Sequence, residues 1–197
     1  TADMLLNANH GMGDALRYSS FQVVAIMTGT GFGTADYEGW STLSRSLLLM
    51  LYFCGGMAGS TTGSMKLIRI MIIVKVVLHE IRIGIRPTLV APIRIGKAPI
   101  DEAIVRGTLA YALIFMGTVM AGALAVASLD SVDLTTAIMA SLACVANVGP
   151  GMGAVGPTEN YAFFSDTSKI ILSFCMLLGR LEFFSLLSLF VPGFWRR

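Results

Sequence analysis

Three long apolar stretches dominate the pattern of hydrophobic and polar positions along the chain. They cover residues 41–78, 103–128 and 168–194, and each reaches the roughly 20 apolar residues that a transmembrane helix requires. The first is too long for one simple span, and the sequence GGMAGSTTGS at 55–64 interrupts it. The pattern therefore predicts one broken helix and two continuous helices, all of which cross a membrane.

Two further apolar stretches are too short to span a bilayer. Residues 14–33 and 133–151 each begin with aspartate, continue as a short apolar segment and end in the spacing x-x-G-x-G. Short apolar runs are typical of re-entrant segments. Irregular backbone at membrane depth is tolerated only where protein surrounds it or a cavity adjoins it. Each stretch therefore predicts a short re-entrant helix followed by an irregular strand.

The order of these segments occurs twice. Thr30 aligns with Val148 in the two glycine strands, and Gly56 aligns with Arg180 in the helices that follow. Repetition of one structural unit is a strong guide to architecture. The repeat divides the chain into three parts: a pore repeat that lacks its first helix at 1–80, a cytoplasmic connector at 81–101, and a complete pore repeat at 102–197.

The glycine strands have the chemistry of a cation filter. A dehydrated cation needs oxygen ligands, and successive backbone carbonyls supply them where glycine permits the required angles. The sequences TGTGFG and NVGPG resemble the potassium-channel filter TVGYG. One such strand is typical of a glycine-rich turn, but two in equivalent positions favour a filter. The candidate ligands of a filter K⁺ are Thr28, Gly29, Thr30, Gly31, Phe32, Ala146, Asn147, Val148, Gly149 and Pro150.

The interruption at 55–64 predicts a gate below this filter. Glycine disfavours a helix by about 1 kcal/mol per residue, so this segment is expected to line a cavity. Arg180 lies near the middle of the last span, where a charge costs roughly 2.5–3.5 kcal/mol. We expect Arg180 to meet the loop and repel cations until the loop moves. The alternative is a structural ion pair between Arg180 and another helix.

The residues assigned to this candidate gate come from the loop, from the start of the next helix and from the last span. They are Gly55, Gly56, Gly59, Ser60, Thr61, Thr62, Gly63, Lys66 and Arg180.

Composition and charge support a membrane protein. Of the 197 residues, 55% are hydrophobic and 13% are charged, whereas soluble domains carry about a quarter charged residues. The net charge of +2 gives no reason to expect a nucleic-acid partner. Basic residues are concentrated at 66–97 and at the C-terminal end, so the positive-inside rule places both regions in the cytoplasm.

Four motifs together resemble the transmembrane subunit of bacterial Trk-type potassium uptake systems, in the Trk/Ktr/HKT superfamily. They are FQVVAIMTGTGFGTADY, GGMAGSTTGSMKLIR, NVGPGMG and MLLGRLEFFSLL. The resemblance covers essentially the whole chain. It implies an all-α, multi-pass protein of the bacterial inner membrane, with potassium-channel-like helix–re-entrant pore loop–helix repeats, two of a pseudo-fourfold set. It also implies that 55–64 is an intramembrane gating loop, faced by Arg180.

The same resemblance implies potassium uptake, without enzyme activity and without a cofactor. Its expected partners are membrane lipid, a cytoplasmic nucleotide-binding regulatory subunit and a second copy of the protein. Because the chain opens on Thr1 and lacks one helix, we expect it to hold most of the third repeat and all of the fourth. Three alternatives stay open: an assembly fragment that does not conduct alone, a sodium-permeable relative, and a secondary carrier with discontinuous helices.

Overall fold

The computed structural model describes residues 11–57, 59–60, 62–86, 92–96, 98–189 and 195, and within these ranges the chain is almost entirely helical. The helices are α1 (Met12–Met27), α2 (Thr42–Leu51), α3 (Leu67–Ile85), α4 (Glu102–Leu129), α5 (Leu134–Val145), α6 (Asp166–Arg180) and α7 (Phe184–Ser188). Two short antiparallel strands, β1 (Arg94–Ile95) and β2 (Ala98–Pro99), form a hairpin between α3 and α4.

Serine caps begin the equivalent helices of the two repeats. The Ser41 hydroxyl oxygen accepts a hydrogen bond from the Ser44 amide at 3.4 Å, and Ser165 accepts one from the Ser168 amide at 3.3 Å. Such caps satisfy amide groups that lack partners within the helix. The caps are 124 residues apart (165 − 41), so α2 and α6 begin at matching points of the repeat.

Helix α4 is a transmembrane span by length and composition. Its 28 residues have a mean hydropathy of 2.1 in the most apolar window. At about 1.5 Å per residue the helix extends roughly 42 Å, which exceeds the hydrocarbon core of about 30 Å. Among the described residues it is the one uninterrupted helix that meets both criteria. Its bounds differ from the predicted 103–128 by one residue at each end.

Helix α5 lies at the centre of the packed core. Every residue from 139 to 145 is buried, and the helix packs against both α4 and α6. Gly122 on α4 permits a close approach, because a Cβ there would lie 2.4 Å from the Ser141 hydroxyl oxygen. That hydroxyl donates a 2.8 Å hydrogen bond to the carbonyl oxygen of Val119. Protein therefore surrounds this short helix, as a re-entrant segment requires.

The prediction of one continuous helix at 168–194 is wrong. Helix α6 ends at Arg180 and α7 begins at Phe184, with Glu182 in the left-handed region at a φ of 53°. The break buries Phe183, whose ring packs edge-on against Tyr111 and Phe115 at centroid distances of 5.3 and 6.2 Å. Tertiary contacts therefore interrupt the apolar run at a point where the sequence has no proline or glycine between residues 180 and 191. Residues 190–194 lie outside the described ranges.

The one predicted interruption, at 55–64, falls between α2 and α3. Helix α2 ends at Leu51, and helix α3 extends from Leu67 to Ile85. The predicted broken helix at 41–78 ended too early, because the second helix of the observed pair continues to Ile85. The predicted connector at 81–101 starts within α3 and includes the hairpin. Residues 87–91 and 97 of that connector lie outside the described ranges.

Candidate functional site

The two glycine strands leave their helices with the same backbone geometry. Gly29 and Asn147 both have positive φ, at 65° and 56°, and so do Gly31 and Gly149, at 71° and 101°. The backbone amides of both strands donate hydrogen bonds to the preceding helix at equivalent positions. The Gly29 amide donates to the Ile26 carbonyl oxygen at 3.1 Å, and its counterpart Asn147 donates to that of Cys144 at 3.1 Å. The Thr30 amide donates to the Ala25 carbonyl oxygen at 3.0 Å, and its counterpart Val148 donates to that of Ala143 at 3.0 Å.

The two strands face each other at close range. A Cβ on Gly31 would lie 1.9 Å from the Val148 carbonyl oxygen, and a Cβ on Gly29 would lie 3.4 Å from the Asn147 carbonyl oxygen. Only glycine fits at position 31, because its backbone is left-handed and the carbonyl leaves no room for a side chain. The carbonyl oxygens of Asn147 and Val148 are therefore directed towards the first strand.

Two threonines and a phenylalanine complete the first strand. The hydroxyl oxygens of Thr28 and Thr30 lie 2.5 Å apart, and the Thr28 hydroxyl donates to the carbonyl oxygen of Val24 at 2.7 Å. Phe32, which replaces the filter tyrosine of potassium channels, is 69% exposed in this chain. The first strand therefore has two adjacent threonine hydroxyls and, at its end, an exposed aromatic ring.

Three tyrosines that the sequence analysis did not assign hold the second strand from behind. Their hydroxyls donate hydrogen bonds of 2.7 Å to successive carbonyl oxygens, Tyr161 to Gly149, Tyr52 to Pro150 and Tyr37 to Gly151. Tyr37 and Tyr52 are fully buried. Gly149 and Pro150 were predicted ion ligands, and in the structure their carbonyl oxygens accept hydrogen bonds from Tyr161 and Tyr52.

A signal for two of these tyrosines was present in the repeat. Tyr37 and Tyr161 each precede the capping serine of the following helix by four residues, and they are 124 residues apart (161 − 37). Tyr52 has no such counterpart. Its contact joins residues 98 positions apart in the chain, which only the tertiary fold brings together.

The glycine-rich loop between α2 and α3 lies directly against both strands. A Cβ on Gly63 would lie 2.5 Å from the Asn147 side-chain nitrogen, and a Cβ on Gly29 would lie 3.2 Å from a methyl carbon of Thr62. The Ser64 hydroxyl donates to the carbonyl oxygen of Ala146 at 3.3 Å. These contacts place the predicted gate loop next to the predicted filter.

The loop is a folded hairpin-like turn with its ends joined. The Gly55 amide donates to the Met65 carbonyl oxygen at 2.8 Å, and the Leu67 amide donates to the Gly56 carbonyl oxygen at 3.2 Å. The Thr62 hydroxyl accepts from the Gly56 amide at 3.0 Å and lies 2.7 Å from the Ser60 hydroxyl. Gly59 has a φ of 88° and open space around it. Thr61, also predicted for the gate, lies outside the described residues.

A cluster of charges ties the loop to the break in the last span. Glu182 forms an ion pair with Lys66, at the end of the loop, and accepts from Arg69 at 2.8 Å. The guanidinium carbon of Arg69 lies 3.9 Å from the ring centroid of Tyr111. The side chains of Lys66 and Arg69 are only 15% and 20% exposed. The ion pair from the last span to the loop is therefore made by Glu182, whose role the sequence analysis left unassigned.

Arg180 lies at the last position of α6, and its side chain is exposed. The preceding residue, Gly179, is buried against the end of α5, because a Cβ there would lie 1.9 Å from the Val145 carbonyl oxygen. The side-chain nitrogen Nδ2 of Asn147 also donates to the Met176 carbonyl oxygen at 3.1 Å. The end of α6 is thus packed against the base of the second strand, one residue before Arg180.

At the opposite end of the helices, one acidic side chain connects the two repeats and another forms a contact within the second repeat. Glu38 forms a 2.7 Å ion pair with Arg45 and accepts a 2.7 Å hydrogen bond from the Gly153 amide. Asp130 accepts from the Ser165 amide at 3.1 Å. Hydrogen bonds from Ser168 and Ser165 hold the pKa of Asp130 below its ordinary value. This carboxylate is therefore ionised at neutral pH.

The fold and site together define an all-α membrane protein built from pore-loop repeats, as the sequence predicted. The model of the TrkH family, described as cation transport proteins, matches residues 8–196, and the chain belongs to this family. The predicted resemblance to Trk-type potassium uptake proteins is thereby confirmed.

Individual relatives agree with this assignment. The chain is 37% identical over 184 residues to the Trk system potassium uptake protein TrkI of Halomonas elongata, covering 93% of this chain and 37% of that protein. It is 38% identical over 180 residues to TrkH of Escherichia coli K12, covering 89% of this chain and 36% of that protein. The crystal structure of the potassium transporter TrkH from Vibrio parahaemolyticus matches 99% of this chain and 41% of its own, with a TM-score of 0.88 and 32% identity. The chain therefore spans less than half the length of these relatives.

Proposed function

We propose that this chain supplies two pore repeats of a multi-pass potassium uptake protein of the bacterial inner membrane. The observation that carries the proposal is the face-to-face approach of the two glycine strands, with Gly31 against the carbonyl oxygen of Val148. Such an arrangement concentrates backbone oxygens at the ends of two short helices. The names of the relatives as potassium uptake proteins support K⁺ as the transported ion.

The oxygens proposed to replace water around K⁺ come from 28–31 and 146–148. Helices α1 and α5 both end at these strands, and the C-terminal end of a helix carries partial negative charge that stabilises a cation. The tyrosines behind Gly149 and Pro150 fix the second strand, so that its earlier carbonyls keep their direction. Passage of K⁺ needs no bond-making step, so we propose a transporter without enzyme activity or cofactor.

The loop at 55–64 is proposed to gate this path. It contacts both strands, at Gly29 through Thr62 and at Asn147 through Gly63. An ion that leaves the two glycine strands would therefore contact the loop next. The ion pair between Lys66 and Glu182 fixes one end of the loop to the last span. Movement of the last span would therefore move the gate.

Arg180 is proposed to complete the gate. Its side chain is exposed, and its neighbour Gly179 is packed against the base of the second strand. A positive charge at this depth would raise the energy of a cation that leaves the filter. Opening would then require the loop and the end of α6 to separate.

The whole protein is proposed to act as a homodimer, in contact with membrane lipid, and with a cytoplasmic nucleotide-binding regulatory subunit. The basic residues of α3 and the connector support a cytoplasmic location for the surface between the repeats. Because successive spans cross the membrane in opposite directions, the acidic residues near Glu38 and Asp130 would lie on the outer side of the membrane.

Growth at low potassium tests the transport proposal. Bacteria that lack their own potassium uptake would express either the gene's complete reading frame or residues 1–197 alone. We expect the complete frame to restore growth and potassium uptake, and the isolated chain to restore neither. Sodium uptake without potassium uptake would favour the sodium-permeable alternative, and absence of any flux from the complete frame would contradict the proposal.

A further inference from the structure

A groove of about 540 Å³ lies between α3 and the start of the hairpin. Six of its lining residues come from α3 at spacings of three and one, so they form a single stripe along the helix. The lining consists of Met71, Val74, Lys75, Leu78, His79, Arg82, Pro92, Ile93 and Arg94. None of the proposed filter or gate residues lines the groove.

The groove combines positive charge with an apolar floor. Lys75, Arg82 and Arg94 are cationic, and the described lining contains no carboxylate. Among the described residues, neither Arg82 nor Arg94 takes part in an ion pair, and both are exposed. Lys75 has a structural task, because its ammonium group donates a 2.6 Å hydrogen bond to the Arg94 carbonyl oxygen and holds the hairpin on α3.

The apolar part of the groove is also open. Met71, Val74 and Leu78 are 43%, 52% and 49% exposed. They precede Arg82 on the same stripe, towards the start of α3. Arg82 therefore lies at the C-terminal end of the stripe, on the side that the positive-inside rule predicts to be cytoplasmic, and the apolar surface extends from it towards the start of α3.

We propose that this groove binds an anionic phospholipid of the cytoplasmic leaflet. Arg82 and Arg94 would bind the headgroup phosphate, with His79 beside it, and one acyl chain would cover Met71, Val74 and Leu78. Basic pockets next to membrane helices on the cytoplasmic side are suited to anionic headgroups. A free phosphate would satisfy the two guanidinium groups but leave the apolar floor in water.

The site has a consequence for gating, which rests on the proposed function. The stripe begins at Met71, four residues after Leu67, whose amide is hydrogen-bonded to the loop residue Gly56. A lipid that holds α3 and the hairpin together would stabilise one position of α3 and hence of the loop. Lipid binding itself does not depend on transport and is measured separately.

Lipid retention by the purified product of the complete reading frame tests the site. The protein would be exchanged into mixed phosphatidylethanolamine and phosphatidylglycerol, and the bound lipids counted by native mass spectrometry. The test variant is Arg82→Gln/Arg94→Gln, which leaves Lys75 and the hairpin contact intact. The matched control is Arg86→Gln/Arg106→Gln, which removes two exposed basic side chains from outside the groove.

We expect the test variant to lose its preference for phosphatidylglycerol by about 25-fold, which corresponds to about fivefold for each basic residue near an anionic lipid. The control is expected to keep that preference, and Arg82→Lys/Arg94→Lys, which conserves both charges, is expected to keep most of it. Equal retention by the test variant and the control would overturn the proposal. Inorganic phosphate that displaces the lipid at equal concentration would also overturn it, because the acyl chain would then contribute nothing.

Two further measurements distinguish the proposed lipid from a second copy of the protein and from a cytoplasmic protein as the occupant of the groove. If the test variant changes the mass of the oligomer while lipid retention stays constant, the groove is an interface between copies and the proposal fails. If it loses only the binding of a cytoplasmic protein, a protein site replaces the lipid site. Potassium uptake is recorded in parallel, so that lipid loss with normal uptake supports the site and refutes only its effect on gating.

Discussion

The phenolic hydroxyl of Tyr161 donates a 2.7 Å hydrogen bond to the carbonyl oxygen of Gly149. Tyr52 does the same for the next carbonyl, that of Pro150. Both hydroxyls lie behind the second glycine strand and fix the direction of its peptide groups. The shape of the proposed filter therefore depends on aromatic side chains that never contact the ion.

Replacement of Tyr161 by phenylalanine tests this support. Tyr161→Phe removes one hydrogen bond worth about 1 kcal/mol and leaves the ring packing against Phe164 in place. We expect the potassium-to-sodium selectivity of uptake to fall about fivefold, measured by competition with a potassium tracer. The control is Tyr18→Phe, whose hydroxyl accepts a hydrogen bond from its neighbour Arg17 on α1. Unchanged selectivity in Tyr161→Phe would show that the filter does not need this bond.

A second prediction concerns the close packing of α6 on the filter. Gly179→Ala would place a Cβ 1.9 Å from the Val145 carbonyl oxygen, and the required shift is expected to destabilise the protein by about 1–3 kcal/mol. We expect a lower melting temperature and a loss of potassium uptake. Gly107→Ala on α4 is the control, because its Cβ would meet nothing within 4 Å. Wild-type stability and uptake in Gly179→Ala would contradict the observed packing.

The ion pair of Lys66 with Glu182 is expected to restrain the loop. Glu182→Gln removes the shared partner of Lys66 and Arg69, so we expect a higher resting potassium flux. A double-mutant cycle with Lys66→Gln should give a coupling energy of about 1 kcal/mol. The Glu102 and Arg106 pair, 4.0 Å apart and exposed, should give a coupling near zero. Additive effects for Lys66 and Glu182 would exclude the restraint.

Arg180 is expected to hinder cation flow while the loop is closed. Arg180→Ala should raise the resting flux, and Arg180→Lys, which keeps the charge, should leave it close to the wild-type value. Flux into liposomes that contain the complete protein is the measurement. Arg106→Ala removes an exposed arginine near the start of α4 and serves as the control. Equal flux in Arg180→Ala and wild type would count against a gating charge.

The sequence pattern was sufficient to predict those elements whose formation depends on residues close together in the chain. The long apolar run of α4 and the serine and aspartate caps are readable from the sequence, because helix propensity and capping act over a few residues. The glycine strands were also predicted, since a positive φ at Gly29 and Gly31 is a local demand on the backbone.

Features that depend on distant residues were missed. The break after Arg180 has no proline or glycine following it, and it is stabilised by Glu182 with Lys66, 116 residues away, and by Phe183 packed on Tyr111. The partners of the Gly149 and Pro150 carbonyls were missed for the same reason. Tyr52, which lies 98 residues from Pro150 in the chain, gives no periodic signal that sequence analysis can use.

The most direct test of the filter is potassium flux through the complete protein with Gly31→Ala. The matched control is Gly39→Ala, because a Cβ on Gly39 meets nothing within 4 Å, whereas one on Gly31 lies 1.9 Å from the Val148 carbonyl oxygen. Tracer flux into liposomes should be abolished, or should lose its preference for potassium over sodium, in Gly31→Ala and stay normal in Gly39→Ala. Normal, selective flux in Gly31→Ala would contradict the claim that these two strands form part of the filter.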